Sequence, residues 1–371
     1  MDKKVSIKEI APAEFFETKP NAITSLLAGH KLGFIPQKIE LVSSNLFVCN
    51  KTTPNDKQLI SLCLKGNYVF LRDEIIQQIH NKTLKKEKKT ALMKSFKNLK
   101  ENAVSVVVFP EKHTSIFGET SILPIEVTEF LFETTLNLKF LYLIGTYFAH
   151  PLWSANHNTT TSKLICQFAL SHAQLEEDSP AERNRRINGK MPSSASVYSH
   201  NNPMLIRSNT RAQNLETLVY ACPHCKELFS MYSEFNCLKC SNCGTAIEIS
   251  NDGKINLSKN ISTFDDFPEF LFETLSQKTF NINSIQKYEN LKLLATDNSP
   301  ATTCSLEIFS DKIKLTSQET TKTYHLENVE EIYLSHKNIA NIKLKNEEIS
   351  IQGKNKENFY ILLDLLKMNK N

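Results

Sequence analysis

Cys222-Pro-His-Cys225, followed after a short spacer by Cys240-Ser-Asn-Cys243-Gly244, gives the chain two Cys-x-x-Cys hooks, and their reading decides what this region folds around. A zinc ion takes four thiolates in a tetrahedron at about 2.3 Å, and two residues between paired cysteines let one tight turn aim both sulfurs at a single ion. The hooks therefore predict a four-cysteine zinc site of Cys222, Cys225, Cys240 and Cys243 within a zinc ribbon. The stretches 218–221 and 246–249 on either side have strand composition, which suits a ribbon hairpin. Four thiolates leave no open coordination position, so the ion is expected to support structure and do no chemistry. Cys237 is a fifth thiol, also spaced as a hook with Cys240. Gly244 favours Cys240 and Cys243, because a metal-binding turn needs the permissive backbone that glycine supplies. The plain alternative is a set of core cysteines without metal.

At 371 residues the chain exceeds what one hydrophobic core usually supports, so two or three domains are expected. Cys49, Cys63, Cys166 and Cys304 stand apart along the chain, a pattern that fits a reducing compartment better than a disulfide framework. The N-terminal residues reach Glu9 and Glu14 before any long apolar run, so neither a signal peptide nor a spanning helix is predicted. A cytoplasmic protein is the expectation, with peripheral attachment at the inner face of the membrane as its variant. A net charge of +4 is too small to call for nucleic acid, and no such partner is expected.

Strand and helix patterns alternate from about residue 40 to 170, which predicts an α/β domain with a mostly parallel sheet over 1–175. Strands are expected at 46–49, 68–71, 104–109 and 140–148, with helices at 58–64, 91–100 and 125–136. Residues 176–210 turn polar and read as a linker or insertion, followed by the ribbon at 211–255 and a helical connector at 256–284. From 285 to 371 the pattern is six short strands and a final apolar helix with Asn355 as its N-cap. That succession predicts a small C-terminal β-barrel closed by a helix, resembling pleckstrin-homology-like folds.

Two segments of the α/β half fall at the carboxyl ends of strands, where such sheets place their chemistry: Asn50-Lys-Thr-Thr-Pro-Asn-Asp56 and Phe109-Pro-Glu-Lys-His-Thr-Ser115. In order and separation they resemble the motifs of the glycerolipid acyltransferase family, typified by 1-acyl-sn-glycerol-3-phosphate acyltransferases. That family carries Asn-His-x4-Asp after one strand and Phe-Pro-Glu-Gly-Thr-Arg-Ser after a later one. Asn50 and Asp56 match the first motif, and Phe109, Pro110, Glu111 and Ser115 match the second. Phe117-Gly-Glu-Thr120, the stretch from Gly145 to Trp153, and Ala212 to Tyr220 leading into the first hook extend the likeness to a Firmicutes-type branch that ends in a zinc ribbon and a β-rich domain. The likeness thus covers most of the chain, and its specificity lies in the combination.

The resemblance implies a place in phospholipid biosynthesis, with acyl-CoA or acyl carrier protein as donor and a lysophospholipid, 1-acyl-sn-glycerol-3-phosphate, as acceptor. It also marks Lys51, Asp56, Glu111 and His113 as the catalytic positions and Lys112, Ser115 and Trp153 as substrate-side positions. Lys51 stands where the family has its base histidine, and an ordinary lysine would need its pKa lowered by about 3 units, or roughly 4 kcal/mol, to act as a base at neutral pH. Lys112, Thr114 and Leu152 replace the glycine and the two arginines of the later motifs, which removes bidentate grips on phosphate. Reduced or lost turnover is therefore expected, that is, a pseudoenzyme. A rebuilt site in which His113 supplies the imidazole is the catalytic alternative. A non-catalytic lipid-binding or membrane-surface adaptor is the other, for which the lysines between Lys82 and Lys100 offer a basic stretch, or only a solvated helix face.

Overall fold

Four apolar runs that the sequence marks as strands lie side by side in the computed structural model, which describes residues 7–154, 158–192, 194–195, 204–256, 261, 263–278, 280, 284–294, 301–317, 320–336, 338–354 and 357–370. The chain forms two compact units, one of residues 1–150 and 158–206, the other of 151–157 and 207–371. In chain order the large sheet of the first unit takes β1 (Phe16–Glu17), β2 (Phe34–Ile35), β3 (Asn45–Cys49), β4 (Tyr68–Leu71), β5 (Ser105–Val108), β6 (Asn137–Ile144) and β7 (Ser162–Leu170). Their order in space is β1-β4-β5-β3-β6-β7-β2. The inner strands β4, β5, β3 and β6 are all parallel, with Leu46 opposite both Val106 and Leu138. β1 and β7 add antiparallel flanks.

Every residue of β3 is buried, as a strand covered on both faces requires. Successive side chains point to opposite faces, so Leu46 and Val48 join one core while Phe47 and Cys49 join another. The first core is closed by α3 (Asp73–His80), α4 (Lys86–Glu101) and α5 (Ile125–Glu133) through residues such as Ile76, Phe96 and Phe130. The second is closed by α2 (Asp56–Cys63) through Leu59, Ile60 and Cys63. α1 (Ala22–Lys31) precedes β2, with Asn21 accepting the Ile23 N–H as its N-cap.

Two expectations change here. The strand predicted through Phe148 ends at Ile144, because Gly145 adopts φ +76° and the chain turns into the short helix Thr146–Ala149. The polar stretch expected as a linker or insertion contains α6 (Pro180–Asn188), which starts with a Ser179/Glu182 capping box. Its anchoring is polar. Arg183 donates from Nε and one Nη to the two carboxylate oxygens of Glu129 on α5, both at 2.7 Å, while Asn184 and Asn188 donate to the Leu123 carbonyl. The pair makes a bidentate clasp.

The second unit carries a four-stranded antiparallel sheet of β8 (Met231–Glu234), β9 (Cys237–Cys240), β10 (Ala246–Ile249) and β11 (Ile255–Asn256). The strand expected at 218–221 is not one; only Ala221 bridges to Leu228, because the hook bends the chain there. α7 (Phe267–Ser276) follows. A seven-stranded antiparallel sheet then comprises β12 (Gln286–Leu294), β13 (Thr302–Ile308), β14 (Lys312–Ser317), β15 (Thr321–His325), β16 (Val329–His336), β17 (Ile339–Leu344) and β18 (Glu348–Gln352), in the order β15-β14-β13-β12-β18-β17-β16. β12 was not among the expected strands, since Asn290 at φ +59° and a register shift between Tyr288 and Leu291 break its alternation. The closing helix α8 (Tyr360–Lys370) buries Ile361, Leu362, Leu365 and Leu366 and packs along β16. Asn355 lies outside the described residues.

Candidate functional site

The parallel strands β3, β4, β5 and β6 end at one edge of the sheet, and the segments that follow them meet there. Asn50 ties two of these ends together: its Oδ1 accepts the Leu143 N–H at 2.8 Å and its Nδ2 donates to the Leu143 carbonyl at 3.3 Å. Beyond it the chain wraps around Asp56, which opens α2 and is buried. The Asp56 carboxylate accepts the N–H groups of Thr52 (2.6 Å) and Thr53 (3.0 Å) and both their hydroxyls, at 2.9 and 2.8 Å. Four donors from two neighbouring residues occupy it.

Lys51 turns elsewhere. Its Nζ lies 2.8 Å from Asp73 Oδ2, at the start of α3, and Lys57 reaches the other oxygen of Asp73 at 3.6 Å and Glu17 at 2.9 Å. The amine is thus committed to a carboxylate on a different strand end, and Asp56 is not its partner. The backbone N–H of Lys51 donates to Glu111 Oε2 at 2.5 Å, and Ser121 N–H donates to Glu111 Oε1 at 3.1 Å. Glu111 therefore joins the loop after β3 to the loop after β5. In the latter loop Ser115 donates to Glu119 Oε2 at 3.0 Å, which also accepts Phe117 N–H at 2.7 Å.

Burial dominates the acid chemistry of this edge. Desolvation pushes Glu111 up to about 7 and Asp56 up to about 6, against the opposing pull of their N–H and hydroxyl donors. The neighbouring Cys49 thiol is raised well above its ordinary range, first by burial and then by the charges of Asp56 and Glu111. A cavity of about 30 Å³ opens among Asn50, Lys51, Glu111, Ser115, Glu119 and Tyr147. That is room for one or two waters.

Of the positions marked from the sequence, Lys51, Glu111 and Ser115 line this cavity and Asp56 sits beneath it, bonded to Thr52 of the lining. Lys112 and His113 are half-buried in the loop after β5 and are not among the lining residues. Trp153 belongs to the second unit, where it is buried, stacked on Phe264 at 5.1 Å, and donates to the Arg211 carbonyl at 3.4 Å. Asp73, Thr52, Thr53 and Glu119 were missed. Asp73 was within reach, because Arg72-Asp73 follows β4 as directly as Asn50 follows β3, and parallel strands deliver such residues to one edge.

The second site is the pair of hooks. The sulfurs of Cys222, Cys225, Cys240 and Cys243 all lie within 4.8 Å of one another, with Cys222 to Cys243 at 3.6 Å and Cys225 to Cys240 at 3.7 Å. A tetrahedron with Zn–S of about 2.3 Å has edges of about 3.8 Å, so the sulfurs are spaced for such an ion. Backbone amides of His224 and Cys225 point at Cys222, and those of Asn242 and Cys243 at Cys240, the donors that thiolates gain when a hook wraps an ion. Ser230 Oγ and Thr245 Oγ1 add contacts to Cys240 and Cys243 at 3.3 and 3.2 Å. Gly244 adopts φ +74° after the second hook. The four cysteines can hold a metal such as zinc, and Cys237, on β9, is outside the cluster. No helix among the described residues is long and apolar enough to cross a membrane.

No family model and no curated protein matches the chain. Among solved structures it is similar to Inner Membrane Complex Sub-compartment Protein 3 from Toxoplasma gondii, with 18% identity and a TM-score of 0.20 over 22% of this chain and 75% of that one. It is also similar to the C-terminal domain of an unknown protein from Leishmania infantum, with 14% identity and a TM-score of 0.20 over 26% of this chain and 91% of that one. At that TM-score neither likeness bears on what the chain does.

Proposed function

We propose that the first unit is a glycerolipid acyltransferase-like scaffold without turnover, and that the hooks of the second hold a structural zinc ion. The observation that carries the first half is the commitment of Lys51 to Asp73 at 2.8 Å while Thr52 and Thr53 fill the carboxylate of Asp56. In the family that the chain resembles, the residue at the Lys51 position takes a proton from the acceptor hydroxyl and the residue at the Asp56 position orients it. An ammonium has three donors and no acceptor, and an aspartate with four donors has little left to orient a partner. A cavity of about 30 Å³ supports the same reading, since an acyl chain needs many times that volume. An acyltransferase-like fold kept without its proton chemistry would be the arrangement of a pseudoenzyme related to phospholipid biosynthesis.

Purified protein offered acyl-CoA or acyl carrier protein with lysophosphatidic acid is expected to yield no acylated product. Transfer that disappears in His113→Ala and survives in Lys51→Ala would replace this reading with a rebuilt site around His113. For the metal, the intact chain is expected to carry zinc by elemental analysis and Cys240→Ala to lose it. Equal zinc in both would remove the hooks from the account.

A further inference from the structure

A helix on the surface of a globular protein normally turns its large apolar side chains inward and its small or polar ones out. α1 does the reverse. Ser25 and Gly29 face the body of the first unit and are buried, with Gly29 so close to α2 that a Cβ there would come within 2.6 Å of Leu62. Ile23, Leu26 and Leu27, spaced as one helical stripe, face outward and are 68%, 62% and 65% exposed. Ile35, on the edge strand β2 that follows, is 60% exposed as well. Of the eleven large apolar side chains exposed among the described residues, five lie between Ile23 and Val42.

The stripe sits in a segment of one charge. From Thr18 to Ile39 there is no aspartate or glutamate, while Lys19, Lys31 and Lys38 are present. Lys31 and Lys38 are exposed, with no ion pair among the described residues, and His30 is exposed beside the stripe. We propose that α1 lies flat on an anionic lipid bilayer, with Ile23, Leu26 and Leu27 in the boundary between headgroups and acyl chains and Lys31 and Lys38 against acidic headgroups. Ten residues of helix span about 15 Å, half the hydrocarbon thickness, so the helix rests in the interface and does not cross it. A second copy is a poorer occupant: a two-fold contact would set this acid-free, lysine-bearing segment against itself, and like charges would meet. The basic lysines of α4 are not needed, and Lys89 there is already paired with Glu133. The inference does not rest on the fate of the acyltransferase-like site.

The test is flotation of the full chain with vesicles of phosphatidylcholine, with and without phosphatidylglycerol. Wild type is expected to float with the mixed vesicles and less with the neutral ones, and added salt is expected to weaken it. Leu26→Glu with Leu27→Glu is expected to lower partitioning by about tenfold or more. Lys31→Gln and Lys38→Gln should each lower it about fivefold on mixed vesicles only, and Lys94→Gln should leave it unchanged. A second probe is Leu27→Trp, whose emission should shift to the blue on mixed vesicles, because the one native tryptophan, Trp153, is buried. Wild type that does not float, a leucine variant that floats as well as wild type, or an unshifted Leu27→Trp overturns the proposal. So does a dimer in sedimentation equilibrium that the leucine variant dissociates without any vesicle binding.

Discussion

Lys51 and Asp56 are five positions apart in the motif, yet neither is satisfied by the other. Asp56 is served by the two threonines between them, and Lys51 by Asp73 at the end of another strand. Replacing Asp56 by alanine would leave four donors without their acceptor in a buried place, and is expected to cost about 3 kcal/mol in urea unfolding. A loss under about 1 kcal/mol would mean that water already serves those donors. Protonation offers a second check. Glu111 and Asp56 are held near 7 and 6 in the folded chain, above the ordinary 4.5 and 3.8, so the folded state binds more protons than the unfolded one between about pH 4 and 7. Their contribution is fully present below the unfolded values and is lost as pH rises through the folded ones. Stability is therefore expected to fall from pH 4 toward pH 7, with a shallower fall in Glu111→Gln; an equal slope in the variant would refute the assignment. The motif letters gave the positions of Lys51, Asp56 and Glu111 but not their partners, because hydrogen bonds across strand ends depend on register, which residue types do not specify.

At the scale of elements, apolar runs were readable and polar or bulged ones were not. β3, β4 and β5 announce themselves because strands covered on both faces are continuously apolar. α6 was hidden because a bidentate Arg183–Glu129 pair and two asparagines do for it what an apolar stripe does elsewhere. β12 was hidden by its bulge at Asn290. The four-cysteine site was the most legible feature, since hook spacing is a local property of the chain and the ion's geometry does the rest. One glycine shows how tightly an element can be held. Gly33, between α1 and β2, has φ +64°, and a Cβ there would lie 2.5 Å from the Thr160 carbonyl oxygen. Backbone cannot yield as a side chain tip does, so Gly33→Ala is expected to cost about 2 kcal/mol or more. The check is a lower urea midpoint at unchanged m-value; an unmoved midpoint would show that the turn can relax.

On the scale of the molecule, long-range hydrogen bonds tie the elements of the second unit together. Tyr220, two residues before the first hook, places its hydroxyl 2.8 Å from Asp364 Oδ2 on α8 and 2.9 Å from the Leu271 carbonyl on α7. Asp364 is fully buried, and that burial raises it to about 6, with Lys367 opposing at 3.3 Å. Tyr220, beside the hook, thereby reaches both α7 and α8. If the cysteines hold a structural ion, its removal should propagate along these bonds, since metal-binding free energy in small sites is folding free energy of order 10 kcal/mol. A chelator is expected to abolish amide protection across 218–249 and to weaken it in α8, while β3 and β5 of the first unit keep theirs. Tyr220→Phe should lower the unit's stability by about 1–3 kcal/mol and weaken α8 protection with the metal still bound, because it leaves Asp364 short of a donor. Protection at 218–249 that survives chelation would mean that the hooks fold without an ion, and the tie through Tyr220 would then be the chief support of that end of the chain.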